Sequence, residues 1–308
     1  MSRIHEALKK AAEERSAQGE NRTVSDLVDL TAETVGAGVA GVGEQRLDGR
    51  TGLADRGDFR TLQFEEFAKR CSRPAWKTEP RGVFAVQAND PVGAEKFRTL
   101  RSRLYQIASA QQLKAILVTS SMPAEGKTFI TANLAQSFVR QTDRRVLLMD
   151  GDLRASRLHL LLGAPKKPGL TEYLRGEADE FQITQVGPQG NLCLIPGGQE
   201  VTNPSELLHS DRMKQLLKRM SQVFDWVILD SPPALAVHDA SILADMCDGV
   251  IFVVRAGSTD FEIAEKASSE FREKNLLGVV LNRVQKSDTY GGYYYGYSAE
   301  ESSRENLK

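Results

Sequence analysis

The chain predicts an α/β fold in which a doubly wound, mostly parallel sheet is wrapped by helices on both faces. Three observations predict it. Six short apolar runs, at residues 116–118, 146–149, 192–195, 226–229, 250–254 and 279–281, alternate with helical segments. The first run passes directly into a Gly126-Lys127-Thr128 turn and a helix. The second and fourth runs end in aspartates. Runs this short and apolar suit strands buried on both faces, and parallel neighbours need helical crossovers.

Taken in order, residues 1–17 place Ile4, Leu8 and Ala11 at helical spacing among charges. This reads as a short amphipathic helix, either solvated or docked on a partner or membrane. Residues 18–60 mix both charge signs with glycines at Gly36, Gly38, Gly41, Gly43, Gly49, Gly52 and Gly57 and keep no period, which predicts a flexible linker. Residues 61–89 form a partly ordered lead-in. At Asp90-Pro91 an acidic N-cap and a first-turn proline open a helix and the main domain, expected over 90–286. Phe97, Leu100, Leu104 and Ile107 make the buried stripe of that helix. Glu95, Arg98 and Arg101 fall to one side of it as an exposed charged edge, for intrahelical pairing or for contact between subunits. Residues 287–308 form a flexible tail.

The strand-to-helix junction AILVTSSMPAEGKT carries the first chemistry. Its end matches the Walker A pattern of P-loop nucleoside triphosphatases, in which backbone N–H groups and a lysine hold phosphate oxygens and a hydroxyl holds Mg²⁺. The expected nucleotide contacts are Ser121, Pro123, Ala124, Glu125, Gly126, Lys127, Thr128 and Phe129, with the positive end of the following helix facing the anion. Two further strands end in acids: VLLMDGDLR supplies Asp150 and Asp152, and WVILDSPP supplies Asp230. A parallel sheet projects these carboxylates at the same edge as Lys127, where Mg²⁺ needs hard oxygen ligands.

Composition narrows the alternatives. A net charge of −1 gives no basic excess for a nucleic-acid surface. Cys71, Cys193 and Cys247 lie far apart, suggesting neither a zinc site nor a disulfide framework and fitting a reducing cytosol. The longest apolar runs fall well short of the ~20 residues a membrane helix needs, and residues 1–10 lack the apolar core of a signal peptide. Any membrane association is expected to be peripheral. His5, His159, His209 and His238 show no metal-ligand spacing. Tyr290, Tyr293, Tyr294, Tyr295 and Tyr297 crowd into YGGYYYGY, although the chain has only seven tyrosines. Without interleaved Arg or Lys this is a poor base-stacking strip and reads better as a set of phosphoacceptors.

Together, SSMPAEGKT, DGDLR, ILDSPP and the tyrosine-rich end resemble the bacterial tyrosine autokinases (BY-kinases) of the capsular and exopolysaccharide type, in their free-standing cytosolic form. Glu95, Arg98 and Arg101 match that family's E-x-x-R-x-x-R oligomerisation motif, and NPSELL at residues 203–208 adds to the match. The resemblance covers about residues 91–297. It implies that Lys127 contacts the β- and γ-phosphates of ATP, that Thr128, Asp152 and Asp230 organise Mg²⁺, and that Asn282 lies at the adenine. Lys127, Asp150 and Asp152 would be catalytic, with Asp150 the base for the phenol. Arg154 would contact phosphate or the incoming tyrosine, or form an ordinary ion pair. The implied partners are further copies in a ring, a transmembrane polysaccharide co-polymerase that activates the kinase at the inner face of the plasma membrane, and a cognate tyrosine phosphatase. Ser121 stands where the general loop has its first glycine, and Met122 where cell-division ATPases carry a signature lysine. Two rival readings are a positioning ATPase that dimerises with nucleotide and a non-catalytic ATP-binding scaffold of a polysaccharide assembly complex.

Overall fold

Seven strands build a mostly parallel sheet of order β3-β4-β2-β5-β1-β6-β7. They are β1 Ala115–Ser120, β2 Val146–Asp150, β3 Gln185–Val186, β4 Leu192–Ile195, β5 Trp226–Asp230, β6 Gly249–Arg255 and β7 Leu276–Asn282. The computed structural model describes residues 63–77, 90–141 and 143–284. The helix expected over 1–17, the linker over 18–60 and the tail over 287–308 with its five tyrosines lie outside the described residues, as does much of the 61–89 lead-in.

The six expected strands are all present, and every residue of β1, β2, β4 and β5 is buried. β1 pairs in parallel with β5 and β6, and β2 in parallel with β4 and β5. The additional strand, β3, is two residues long and antiparallel to β4. A segment that short carries no readable alternation.

The chain divides into two units, Gly49–Val254 with Lys266–Asn282, and Met1–Asp48 with Arg255–Glu265 and Arg283–Lys308. In the described part of the latter, the N–H groups of Ser258 and Thr259 donate to Arg255 O at 3.4 and 3.2 Å, closing a turn before the helix Phe261–Ser269.

The helix Pro91–Ala110 opens as expected: Gly93 N–H donates to the Asp90 carboxylate at 3.0 Å, with Pro91 in the first turn. Phe97 and Leu104 are buried, while Leu100 and Ile107 lie half-buried against the core. The charged edge needs correction. Glu95 and Arg98 are exposed and pair with each other at 2.5 Å, but Arg101 is half-buried and its guanidinium donates to Ser137 O. One further turn carries Arg101 over the neighbouring helix, where an unpaired backbone carbonyl near the C-terminus attracts a cation.

That neighbouring helix, Lys127–Val139, is buried continuously from Ile130 to Val139, because it is covered by Pro91–Ala110 as well as by the sheet. Its buried polar side chains turn back on their own backbone: Thr131 Oγ1 donates to Lys127 O at 2.9 Å and Ser137 Oγ to Leu134 O at 2.7 Å. Residues 63–70 form a helix whose Phe64 meets Phe224 edge-on at 5.5 Å, while Val186 N–H donates to Ser72 O at 2.9 Å. Residues 63–77 are thus tied to the β3–β5 side of the sheet. Among the described residues no helix is long and apolar enough to cross a membrane, and the three cysteines are free thiols.

Candidate active site

Strand register assembles the site. In β1–β5 pairing Val118 stands opposite Asp230, and in β2–β5 pairing Asp150 stands opposite Asp230. The carboxyl ends of β2, β5 and β1 therefore lie side by side, bringing DGDLR and ILDSPP to the loop that follows Ser120. Gly151 tightens this edge: its N–H donates to Asp230 O at 2.8 Å, and a Cβ there would crowd the same carbonyl and Leu243.

The loop from Ser121 to Gly126 is rigidly braced. Met122 N–H donates to the buried Glu125 carboxylate at 2.7 Å, and Ser120 Oγ donates to Met122 O at 3.0 Å. Asn282, at the end of β7, donates through Nδ2 to Glu125 O at 2.8 Å. Gly126 takes φ +99°, a left-handed conformation that favours glycine, and a Cβ on it would collide with the Asn282 amide. Pro123 and Ala124 are exposed, Glu125 is buried, and Ser121 Oγ is buried with no hydrogen-bond partner. Phe129 sets its ring edge-on to Phe97 at 6.3 Å and packs partly buried against the core.

Lys127 sits at the convergence of the three motifs. Its Nζ lies 2.9 Å from Asp152 Oδ2, 3.8 Å from Asp230 Oδ2 and 3.3 Å from Thr128 Oγ1. Burial works against its charge, but Asp230 and Asp152 outweigh burial and hold the ammonium above the ordinary lysine range. Asp230 is pushed up by burial, with Lys127 and a hydrogen bond from Thr128 pulling the other way. Thr131 Oγ1 also reaches Asp230 Oδ1, at 3.4 Å.

Asp150 is fully buried, and its proton affinity is raised to about 7, first by burial and then by the Asp230 charge. Its Oδ2 accepts from Ser156 Oγ at 2.7 Å and Leu158 N–H at 3.0 Å, and its Oδ1 accepts from Asp152 N–H at 3.2 Å. Asp152 Oδ1 accepts from Ala155 N–H at 3.0 Å, leaving Oδ2 for Lys127. Of the alternatives open for Arg154, the structure shows an ion pair. Its Nε is 2.8 Å from Asp239 Oδ2, and its Nη2 is 2.9 Å from Ser205 Oγ. Ser205 belongs to NPSELL, which the sequence offered only as part of the family resemblance and without a place at the site; Ser156, Thr131 and Asp239 carried no signal at all.

Among the described residues no group of three or more Asp, Glu, His or Cys side chains is arranged to hold a metal ion by itself. Thr128, Asp152 and Asp230 are hard oxygen donors of the kind Mg²⁺ accepts when phosphate and water complete its shell. The unpartnered Ser121 hydroxyl and the cradle shaped by Gly126 fit the phosphate chain that would accompany it.

A sheet with a phosphate loop after β1 and acids after β2 and β5 defines the class of nucleotide-binding P-loop domains. Residues 116–305 match the family described as the CobQ/CobB/MinD/ParA nucleotide binding domain (CbiA). More closely, the chain is 36% identical over 220 residues to the tyrosine-protein kinase YwqD of Bacillus subtilis, spanning 70% of this chain and 92% of that one. It is 34% identical over 224 residues to the tyrosine-protein kinase wzc of Salmonella typhimurium, spanning 71% of this chain but 31% of that longer protein. The solved kinase domain of the Escherichia coli tyrosine kinase ETK matches at 31% identity and a TM-score of 0.60, covering 67% of this chain and 84% of that domain. The chain belongs to the bacterial tyrosine-protein kinase family.

Proposed function

We propose that the protein is an ATP-dependent tyrosine autokinase that phosphorylates the Tyr290, Tyr293, Tyr294, Tyr295 and Tyr297 cluster of a neighbouring copy, and that this cycle regulates exopolysaccharide or capsule polymerisation and export. The observation that carries this reading is Lys127, with Asp152 Oδ2 at 2.9 Å and Asp230 Oδ2 at 3.8 Å, seated at the mouth of the phosphate loop. On this reading Ser121 and the backbone of residues 123–129 hold the phosphates, Lys127 meets the β- and γ-phosphates, and Asn282 borders the adenine. Thr128, Asp152 and Asp230 would hold Mg²⁺, whose bound charge neutralises phosphate oxygens.

Asp150 is the proton acceptor of this reading. A phenol with a pKa of about 10 needs a base only as its oxygen attacks, and a carboxyl titrating near neutrality is matched to that task. Most of the rate would come from positioning, since phosphoryl transfer leaves a protein little covalent work. A ring built through Glu95, Arg98 and Arg101 would present each tail to the next site. The further partners on this reading are a transmembrane polysaccharide co-polymerase that holds the cytoplasmic kinase at the inner face of the plasma membrane, and a phosphatase that resets the tail.

The test is incubation with Mg·ATP beside Lys127→Met and a variant with the five tail tyrosines changed to Phe, with phosphate mapped by mass spectrometry. Phosphate on residues 290–297, lost in both variants, is expected. ATP hydrolysis without phosphotyrosine, even with the cytosolic segment of a candidate activator added, would overturn the reading in favour of a positioning ATPase or a scaffold.

A further inference from the structure

Four large apolar side chains stand out as exposed among the described residues, and two of them lie at the phosphate loop: Met122 within it, at 43%, and Leu235 beside it, at 41%. Their exposure is not the slack of a loose segment. Glu125 spends a carboxylate that is 2% exposed on Met122 N–H, and Ser120 Oγ holds Met122 O. On the other strand end, Ala234 N–H donates to Ser120 O at 2.8 Å and Leu235 N–H to Ser121 O at 3.4 Å. The backbone thus sets Leu235 alongside the residue that precedes Met122, with both side chains open to solvent. Exposed Ala236 and half-buried Val237 extend the apolar stretch directly after ILDSPP.

A triphosphate has no use for such a rim, because its oxygens call for N–H groups and cations. Leu235 stands across β1 from the adenine position expected at Asn282, since Asn282 ends β7 and Leu235 follows β5; Met122 lies between them, its N–H held by the Glu125 whose O accepts from Asn282 Nδ2 at 2.8 Å. The second ligand of a tyrosine kinase is a phenol, an apolar ring with one polar tip. A thioether beside such a ring makes a favourable sulfur–aromatic contact, and an unbranched side chain adapts to rings presented at differing angles.

We propose that Met122 and Leu235 form the apolar rim on which the ring of an acceptor tyrosine lies while its hydroxyl reaches the phosphate loop, the occupant being the tyrosine-rich tail of a second copy of this chain. The inference rests on the autokinase reading and adds to it the residues that select the acceptor. The chain itself supplies the occupant: past the last described residue it runs through residues 285–308, with five tyrosines between 290 and 297 in the run YGGYYYGY, where Tyr293, Tyr294 and Tyr295 are consecutive and glycines flank them. A rim made of side-chain surface alone also suits several acceptors in one tail better than a tight pocket shaped for one.

The test separates donor from acceptor. The kinase chain carries the five tail tyrosines as Phe, and the acceptor is a Lys127→Met chain with its tail intact, so all phosphotyrosine arises between copies. Met122→Gln, Leu235→Gln and the double change are placed in the kinase chain, with Met122→Leu as the conservative variant, and initial rates are taken against acceptor and against ATP. The double change is expected to raise KM for acceptor about tenfold, as loss of the buried apolar contact of two side chains implies, with KM for ATP held within about twofold. Met122→Leu should keep KM for acceptor close to that of the parent. An unchanged acceptor KM would overturn the proposal, as would equal rises in both KM values, which would mean that the pair merely braces the loop. A fall in oligomer mass with unchanged acceptor KM would place another copy's surface, not its tail, on the rim. Absence of phosphotyrosine in the parent pair would instead strike the autokinase reading, and this inference with it.

Discussion

Lys127 is the counter-charge of Asp152: the ammonium lies 2.9 Å from Oδ2 in a setting where the lysine side chain is 12% and the aspartate 5% exposed. The same ammonium neutralises Asp230 at 3.8 Å. Lys127→Met therefore removes more than a phosphate contact, since it leaves two buried carboxylates without their cation. The expected outcome is loss of tail phosphorylation by at least about a hundredfold, together with a lower Tm for the nucleotide-free chain. A variant that loses transfer while melting with the parent would show that the ion pair contributes nothing to the fold.

Asp150 makes stability depend on pH. Its carboxyl titrates at about 7 in the folded chain against 3.8 for an ordinary aspartate. Between those values the folded chain keeps a proton that the unfolded chain has released, so unfolding releases a proton and rising pH favours it. Stability from this group is highest below the unfolded value and declines until pH passes about 7. Asp150→Asn cannot titrate, so its unfolding free energy, measured by urea titration without nucleotide or Mg²⁺, should fall less between about pH 5 and about pH 7.5 than that of the parent. Parallel slopes would remove Asp150 as the cause.

The Arg154–Asp239 pair predicts an asymmetry. Asp239 is fully buried whereas the Arg154 side chain is 40% exposed. Arg154→Ala strands a buried carboxylate, while Asp239→Asn leaves an arginine that water can solvate. The first should cost roughly 2 kcal/mol, less than for a fully buried pair because Ser205 Oγ still donates to Asp239, and the second under about 1 kcal/mol. Chemical denaturation of both variants decides it; equal costs would mean that water already satisfies Asp239.

Glu95, Arg98 and Arg101 should separate by experiment. The exposed Glu95–Arg98 pair is worth only about 0.2–0.5 kcal/mol to its own helix, so Glu95→Ala with Arg98→Ala should leave the melting temperature nearly unchanged while lowering the oligomer mass seen by light scattering. Arg101 donates to Ser137 O, so Arg101→Ala should cost about 1 kcal/mol of stability whatever it does to assembly. A double variant of unchanged mass would take the ring interface elsewhere.

Local patterns in the sequence determined the fold class, six of the seven strands and the identity of the phosphate loop. Burial on both faces of a strand and a glycine that can turn left-handed are properties of a few consecutive residues, and they read directly. The Asp90 cap and the stripe at Phe97 and Leu104 were legible for the same reason. The sequence placed Asp152 and Asp230 at the same sheet edge as Lys127, but tertiary structure alone decided which of these distant groups touch and through which atoms. The neighbour relations of β2, β5 and β1 bring Asp152 and Asp230 to Lys127, and no spacing along the chain states a strand order. Packing also turned Arg101 onto Ser137 and Arg154 onto Asp239, since a long side chain takes the nearest unsatisfied acceptor that the neighbouring element offers. It left Met122 and Leu235 facing solvent as well, because hydrogen bonds between their backbones and Ser120, Ser121 and Glu125 hold both residues at the site's edge and not over the core.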